Sequence, residues 1–398
     1  MPIEDVPTTV DMPAQSATCP GVSKRSDLRL RRLVGTMLLV LFATVGTGFA
    51  PPALLESPQA RTPLFQYQLE LAGKTSEKPD IIAESAVIVD GATGKIVYAK
   101  NAHTRMAPAS TTKIMTAIVA LENGRLDELV QIDVNGYAMA GSSIMGITPG
   151  EVLTLEDLLY GLMLPSGNDA ALAIARHIGG SETEFVRMMN EKAAQLGLKN
   201  THFVNPHGLD EDNHYSSAYD LAIMGRYGMN NPVFARIVGA RAYTARGRAT
   251  YHLVTGNRLL GQYEGADGVK TGYTEASGQS FVASVSRDGR RVLVSLIRSS
   301  DRARDARVLF DYFFENFRWV KLALPPAPFN VLPDPDGGSR RLVTESNREE
   351  VLAHWEVPYL RDYIWLDSPE NVSTGGPVGS ASFYLGDSFL VEVPAFAK

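Results

Sequence analysis

The 398-residue sequence predicts an α/β fold: one antiparallel sheet flanked by helices, with an inserted helical block, followed by a small C-terminal all-β domain. Three observations predict it. Strand-and-turn patterns occur at 86–99 and return at 268–298. The stretch between them is mainly helix-periodic. Residues 340–398 carry short strand-like runs and few helix signals. One antiparallel sheet built from both ends, with the helices inserted between, is the economical closure.

Composition narrows the function classes. Hydrophobic residues make up 44% and charged residues 21%, which is ordinary globular usage. Net charge is −6, and no basic run occurs beyond the N-terminal region, which argues against nucleic acid as a partner. The single cysteine, Cys19, precedes the first apolar segment. The rest of the chain therefore has no intrachain disulfide and no cysteine metal site.

Residues 1–32 read as a disordered cytoplasmic tail ending in a basic cluster of Lys24, Arg25, Arg29, Arg31 and Arg32. Residues 33–55 are uncharged and include the apolar run Leu38-Leu39-Val40-Leu41-Phe42. Basic flank plus apolar run is the pattern of a signal peptide or a transmembrane anchor. The positive-inside rule sends everything after it out of the cytoplasm. Gly48-Phe49-Ala50 suits cleavage, while the following Pro51 opposes it. Residues 56–82 read as a linker.

The main domain is expected over 83–323. Residues 86–90 and 96–99 form a hairpin around Gly91-Ala92-Thr93-Gly94-Lys95. A helix is expected over 111–123. Helices follow at 155–163, where Glu156 and Asp157 suit the helix dipole, at 170–178 with Asn168 or Asp169 as cap, at 182–196, and at 218–227. A short strand is expected at 268–272. A hairpin of 279–286 and 291–298 turns at Asp288-Gly289, and Asp301 caps a helix running to about 317. Residues 324–339, rich in Pro, Gly and Asp, read as a second linker. Strands at 351–357, 359–366, 382–385 and 389–393 make the small β domain of 340–398.

Three short motifs carry chemistry. Ser110 and Lys113 stand three residues apart at a helix start, so they share a face. A serine needs an adjacent base to be a nucleophile, and a lysine serves if burial or positive charge lowers its pKa. Ser166-Gly167-Asn168 breaks two helices and offers a hydroxyl and an amide. Lys270-Thr271-Gly272 lies on a late strand, where cation and hydroxyl suit a carboxylate and the glycine lets a substrate backbone approach. Alone, each has an ordinary structural explanation as cap, turn or strand end. Their occurrence together, in this order and on these elements, is the signature S-x-x-K, S-x-N, K-T-G of active-serine enzymes.

On these motifs the chain resembles the D-alanyl-D-alanine carboxypeptidases, low-molecular-mass penicillin-binding proteins with a β-lactamase/transpeptidase-like fold. The resemblance extends to Val89-Asp90-Gly91-Ala92-Thr93-Gly94, to Asn205-Pro206-His207-Gly208-Leu209 and to Asp267–Tyr273, and covers about 83–318. Residues 326–398 resemble that family's C-terminal β domain. The resemblance implies that Ser110 is acylated, Lys113 activates it, Ser166 relays a proton to the leaving group and Asn168 holds the substrate backbone. It implies positive potential from Lys270, a carboxylate contact from Thr271, and an oxyanion hole of the Ser110 and Tyr273 N–H groups beside Gly272. Arg302 is a further carboxylate candidate, with Arg298 and Arg304 close in sequence.

The implied partners are peptidoglycan stem peptides, β-lactams as covalent inhibitors, and the membrane through residues 33–55. No cofactor or metal is expected. Many members end in a basic amphipathic helix, whereas Val393-Pro394-Ala395-Phe396-Ala397-Lys398 is proline-broken, so attachment is expected from 33–55. The implied location is the extracytoplasmic membrane face or the wall space. A D,D-endopeptidase shares every motif. A β-lactamase is disfavoured by Gly167, where that family carries aspartate. A metal site built from His202, His207, His214, Asp210 and Asp212 fits no standard ligand spacing.

Overall fold

The computed structural model describes residues 53–56, 77–139, 141–325, 330–334, 337–367 and 376–398. The expected tail of 1–32 and the anchor or signal of 33–55 lie outside these, except that 53–55 belong to a strand. Strands are β1 (Ala53–Glu56), β2 (Ser85–Asp90), β3 (Ile96–Lys100), β4 (Leu129–Gln131), β5 (Val152–Thr154), β6 (Ala242–Arg246), β7 (Thr250–Val254), β8 (Ala266–Thr274), β9 (Gly278–Arg287), β10 (Arg290–Ser299), β11 (Phe317–Lys321), β12 (Val331–Pro333), β13 (Ser339–Thr344), β14 (Glu349–Ala353), β15 (Leu360–Leu366), β16 (Pro377–Leu385) and β17 (Ser388–Ala397). Helices are α1 (Lys113–Asn123), α2 (Leu155–Met163), α3 (Asn168–Gly179), α4 (Glu182–Gln195), α5 (Ala218–Met229), α6 (Pro232–Gly239) and α7 (Arg302–Asn316).

The main sheet has five antiparallel strands in the order β3-β2-β10-β9-β8. Both of its faces are covered, which is why β2 reads as a continuous apolar run rather than an alternating one. Period-two alternation still sorts the side chains. Val87, Val89, Val282 and Leu293 pack into the helical block. Ala86, Ile88, Phe281, Ala283 and Val294 pack against Leu309, Phe310 and Phe313 of α7. Gly225 of α5 is required for the first layer, because a Cβ there would lie 2.7 Å from Val282 Cγ1. The Asp288-Gly289 turn takes positive φ at both residues, +50° and +75°, as a tight hairpin between right-twisted strands demands.

The C-terminal region forms a six-stranded sheet, β1-β15-β16-β17-β13-β12, around Leu332, Leu342, Ile364, Phe383 and Val393. Two elements fall where a linker was expected, or before the β region. Val331–Pro333 pairs with β13, and Phe317–Lys321, directly after α7, pairs with β14. That second ribbon ties the regions together. Trp319 Nε1 donates to Asp90 Oδ1 at 2.8 Å, and Arg290 and Lys95 pair with Glu349 and Glu350, each at 2.6 Å.

Asp305 on α7 fastens the start of the sheet. Its fully buried carboxylate accepts from the N–H groups of Ile82 and Ala83 (3.1 and 2.8 Å), from Ser299 Oγ (2.7 Å) and from Arg304 (3.0 Å). Asp305→Ala leaves these donors unpaired. We expect a loss of about 3 kcal/mol, read as a lower urea midpoint at unchanged m.

Candidate active site

The site is assembled where β8, the edge strand of the main sheet, meets the helical block. Ser110 is not on the helix itself. It sits in a 3₁₀ turn, Ala109–Thr112, and the α-helix begins at Lys113. Ala109 takes φ +50°, the left-handed region that costs a Cβ-bearing residue. The turn is wedged between two glycines. A Cβ on Gly208 would lie 2.0 Å from Ala109 O, and one on Gly272 would lie 3.0 Å from Ser110 N. Thr111 Oγ1 closes the turn by donating to Pro108 O at 2.6 Å.

Lys113 is fully buried. Its Nζ lies 3.0 Å from Ser110 Oγ, 2.7 Å from Asn168 Oδ1 and 2.6 Å from His207 O. Burial holds its pKa well below the ordinary lysine value, the Lys270 charge lowers it further, and Asp169 opposes both. Lys270 is also buried and donates to Thr271 O at 2.8 Å. Its pKa is pushed down to about 7 by burial and then by Arg302.

Asn168 opens α3, and its Nδ2 meets Ser142 Oγ at 3.0 Å. Neither Asn168 nor Asp169 is the N-cap that the sequence suggests. The N-cap is Gly167, without a side-chain bond, and the Asn168 and Asp169 side chains are engaged elsewhere. Ser166 takes φ +68°, and its buried Oγ has no hydrogen-bond partner among the described residues.

Ser110, Ser166, Asn168, Thr271, Gly272, Tyr273 and Arg302 all line one cleft of about 530 Å³. Lys113 and Lys270 lie beneath its surface and act on it from below. Tyr273 presents its ring at the mouth, 64% exposed. Because β8 is an edge strand, its outer N–H and C=O groups can pair with an extended chain in the cleft.

A family model for D-alanyl-D-alanine carboxypeptidase matches residues 72–300. The carboxypeptidase DacD of Escherichia coli is 32% identical over 387 residues, covering 92% of this chain and 93% of the relative. The chain belongs to the D-alanyl-D-alanine carboxypeptidase family. DacF of Bacillus subtilis is 38% identical over 298 residues, 72% of each chain. The crystal structure of penicillin binding protein 6B from Escherichia coli superposes with a TM-score of 0.66 at 29% identity, over 84% of this chain and 98% of that one. The protein is thus a serine peptidase, a hydrolase, on the fold the sequence predicts.

Within this carboxypeptidase the three neighbouring arginines part company. Arg298 pairs with Glu84 at 2.9 Å, and Arg304 pairs with Asp80 (2.9 Å) and Asp305 (3.0 Å). Arg302 lines the cleft and donates to Gly272 O at 2.8 Å. Sequence reasoning missed three contributors. The His207 carbonyl has no residue-type signal at all. Ser142 lies in a stretch without periodicity. Asp169 read as a cap.

His214 serves the scaffold. His214 Nδ1 accepts from Val204 N at 3.1 Å, so its Nε2 carries the proton and donates to Thr112 Oγ1 at 2.8 Å. Burial lowers its pKa to about 4, so the ring stays neutral. Thr116 Oγ1 donates to Pro206 O at 2.6 Å. These bonds hold the 205–209 loop, and with it the His207 carbonyl, against α1.

A methyl group at position 272 forces the Ser110 turn to move. We expect Gly272→Ala to fold but to lose on the order of 10²-fold in kcat on a D-Ala-D-Ala peptide. A steady-state assay beside a melting curve checks this.

Proposed function

We propose that the protein removes the terminal D-alanine of peptidoglycan stem peptides through an acyl-enzyme on Ser110, and that β-lactams acylate the same oxygen. The observation that carries this reading is the surroundings of Lys113. A neutral amine has two hydrogens and one lone pair. Asn168 Oδ1 and the His207 carbonyl can only accept, so they take both hydrogens. The lone pair is left for the third neighbour, the Ser110 hydroxyl.

Acylation then runs in order. Lys113 takes the Ser110 proton as Oγ adds to the penultimate carbonyl. The oxyanion is held by the N–H groups of Ser110 and Tyr273. The proton passes from Lys113 through Ser166 to the departing amine. The unpartnered Ser166 hydroxyl supports this relay. Free D-alanine leaves, water adds to the ester with Lys113 again as base, and Ser110 is regenerated. Thr271 and Arg302 meet the terminal carboxylate, and Lys270 contributes its field from below. A bound carboxylate also supplies the counter-charge that buried Lys270 lacks, favouring its protonated form. That charge in turn disfavours protonation of Lys113.

A substrate in the wall places the enzyme outside the cytoplasm. We read residues 33–55 as its export signal or anchor. Among the described residues no helix is long and apolar enough to cross a membrane.

Fluorescent penicillin should label the protein and not Ser110→Ala, and peptide hydrolysis by that variant should fall by about 10⁴-fold or more. Labelling of Ser110→Ala removes Ser110 from its role. Release of D-alanine from a pentapeptide should exceed cleavage of a cross-linked dimer; the reverse makes the enzyme an endopeptidase.

The pH profile has a defined sign. Lys113 works unprotonated, so acylation by penicillin is full above its lowered pKa and falls as pH drops through it. Lys270→Ala removes the positive neighbour and raises the Lys113 pKa, so this acid limb should move to higher pH.

A further inference from the structure

The Lys113 geometry works only if Asn168 presents its oxygen, not its NH₂ group, to the amine. Ser142 dictates that choice. Its Oγ lies 2.9 Å from Met139 O, which can only accept, so the Ser142 hydroxyl donates there. Its oxygen is then left as an acceptor for Asn168, 3.0 Å away, and the group that can donate is Nδ2. Oδ1 is thereby turned toward Lys113.

Ser142 is itself held by a clamp. The fully buried Asp169 carboxylate accepts from Met145 N (2.8 Å), Gly146 N (2.7 Å), Ile147 N (3.1 Å) and Ala170 N (2.9 Å). Two N–H groups fall on each oxygen. Room for the carboxylate is made by Gly136, where a Cβ would lie 2.3 Å from Asp169 Oδ2. Ser143 O completes the attachment by accepting from Asn168 N at 2.9 Å.

We propose that Ser142, held by the Asp169 clamp, is a positioning residue that fixes the amide orientation of Asn168 and so aims the Lys113 lone pair at Ser110. This rests on the acyl-enzyme reading above. Without Ser142, the amide is free to rotate. Its NH₂ then faces Lys113, which has one acceptor fewer and no reason to hold its lone pair on the serine. The effect belongs to the chemical step, not to substrate capture.

The test uses the full chain, benzylpenicillin acylation and hydrolysis of a D-Ala-D-Ala peptide. Ser142→Ala should lower the acylation rate and kcat by between about 10- and 100-fold with KM within about two-fold, and Ser142→Thr should restore most of the rate. In an Asn168→Ala background, Ser142→Ala should have no further effect. Asp169→Asn should share the kcat loss, because an amide NH₂ must then face two N–H donors and the clamp opens on that side. A Ser142→Ala enzyme acylated at the wild-type rate overturns the proposal. So does a change confined to KM, which would make Ser142 a direct substrate contact, or full additivity with Asn168→Ala. If Asn168→Ala does not fold, the kcat and KM split and the threonine rescue decide. Failure of the wild-type protein to take up penicillin sinks the acyl-enzyme reading instead, so the two failures are distinct.

Discussion

The structure depends on burying one lysine, Lys113, with no carboxylate hydrogen-bonded to it. An ammonium group buried without a carboxylate beside it is costly, and the group responds by losing its proton. Lys113 meets that condition. The polar atoms hydrogen-bonded to it are neutral, namely a hydroxyl, an amide oxygen and a backbone carbonyl. The nearest opposing charge, on Asp169, is already engaged by four N–H groups. Lys270 adds repulsion. Each surrounding feature either keeps water away from that amine or decides where its hydrogens point.

Such an environment cannot be built locally. Ser110 comes from the turn before α1, Lys113 from the first position of α1, Asn168 from the start of α3, His207 from a loop, and Lys270 from β8. The chain brings them together by closing its sheet from both ends, so that β8 becomes the edge strand beside the helices laid down earlier in sequence. The buried threonines do related work. Thr112, at the end of the 3₁₀ turn, and Thr116 on α1 face inward and pin the His207 loop through His214 and Pro206, the kind of satisfied polar network that fixes one arrangement among several apolar ones.

Much of this was legible in the residues. The apolar runs of β2, β9 and β10, the Asp288-Gly289 turn and the Asp301 cap are local signals, and the structure follows them. The motif residues Ser110, Lys113, Ser166, Asn168, Lys270 and Thr271 offered chemistry that only certain side chains can perform, so type and order sufficed to group them. What escaped was set by tertiary context. Helix α6 is only eight residues long and each strand of the β6–β7 hairpin only five, so few residues carry their patterns. Strand β12 hides in a segment rich in proline and glycine. The His207 carbonyl is backbone, and backbone has no residue code. Asp169 looked like a cap because an acidic residue in a first turn usually is one; its three donors from the Met145–Ile147 segment lie more than twenty positions upstream.

Backbone strain points to the same centre. Among the described residues, six other than glycine take positive φ: Asn101, Ala109, Ser166, Asn213, Asp288 and Arg298. Asn and Asp tolerate that region, so three of the six are unremarkable turns. Ala109, Ser166 and Arg298 have no such excuse, and each costs on the order of 1 kcal/mol or more. Ala109 precedes Ser110, Ser166 lines the cleft with its hydroxyl unpaired, and Arg298 flanks the β9 start, where Gly278 would place a Cβ 3.2 Å from its Cα. A folded chain relaxes strain of this size unless its surroundings forbid it. Here they do: Ala109 is held between Gly208 and Gly272, and relaxing it would carry Ser110 away from Lys113. The strained conformation at Ala109 is thus part of what keeps a hydroxyl and a buried amine 3.0 Å apart.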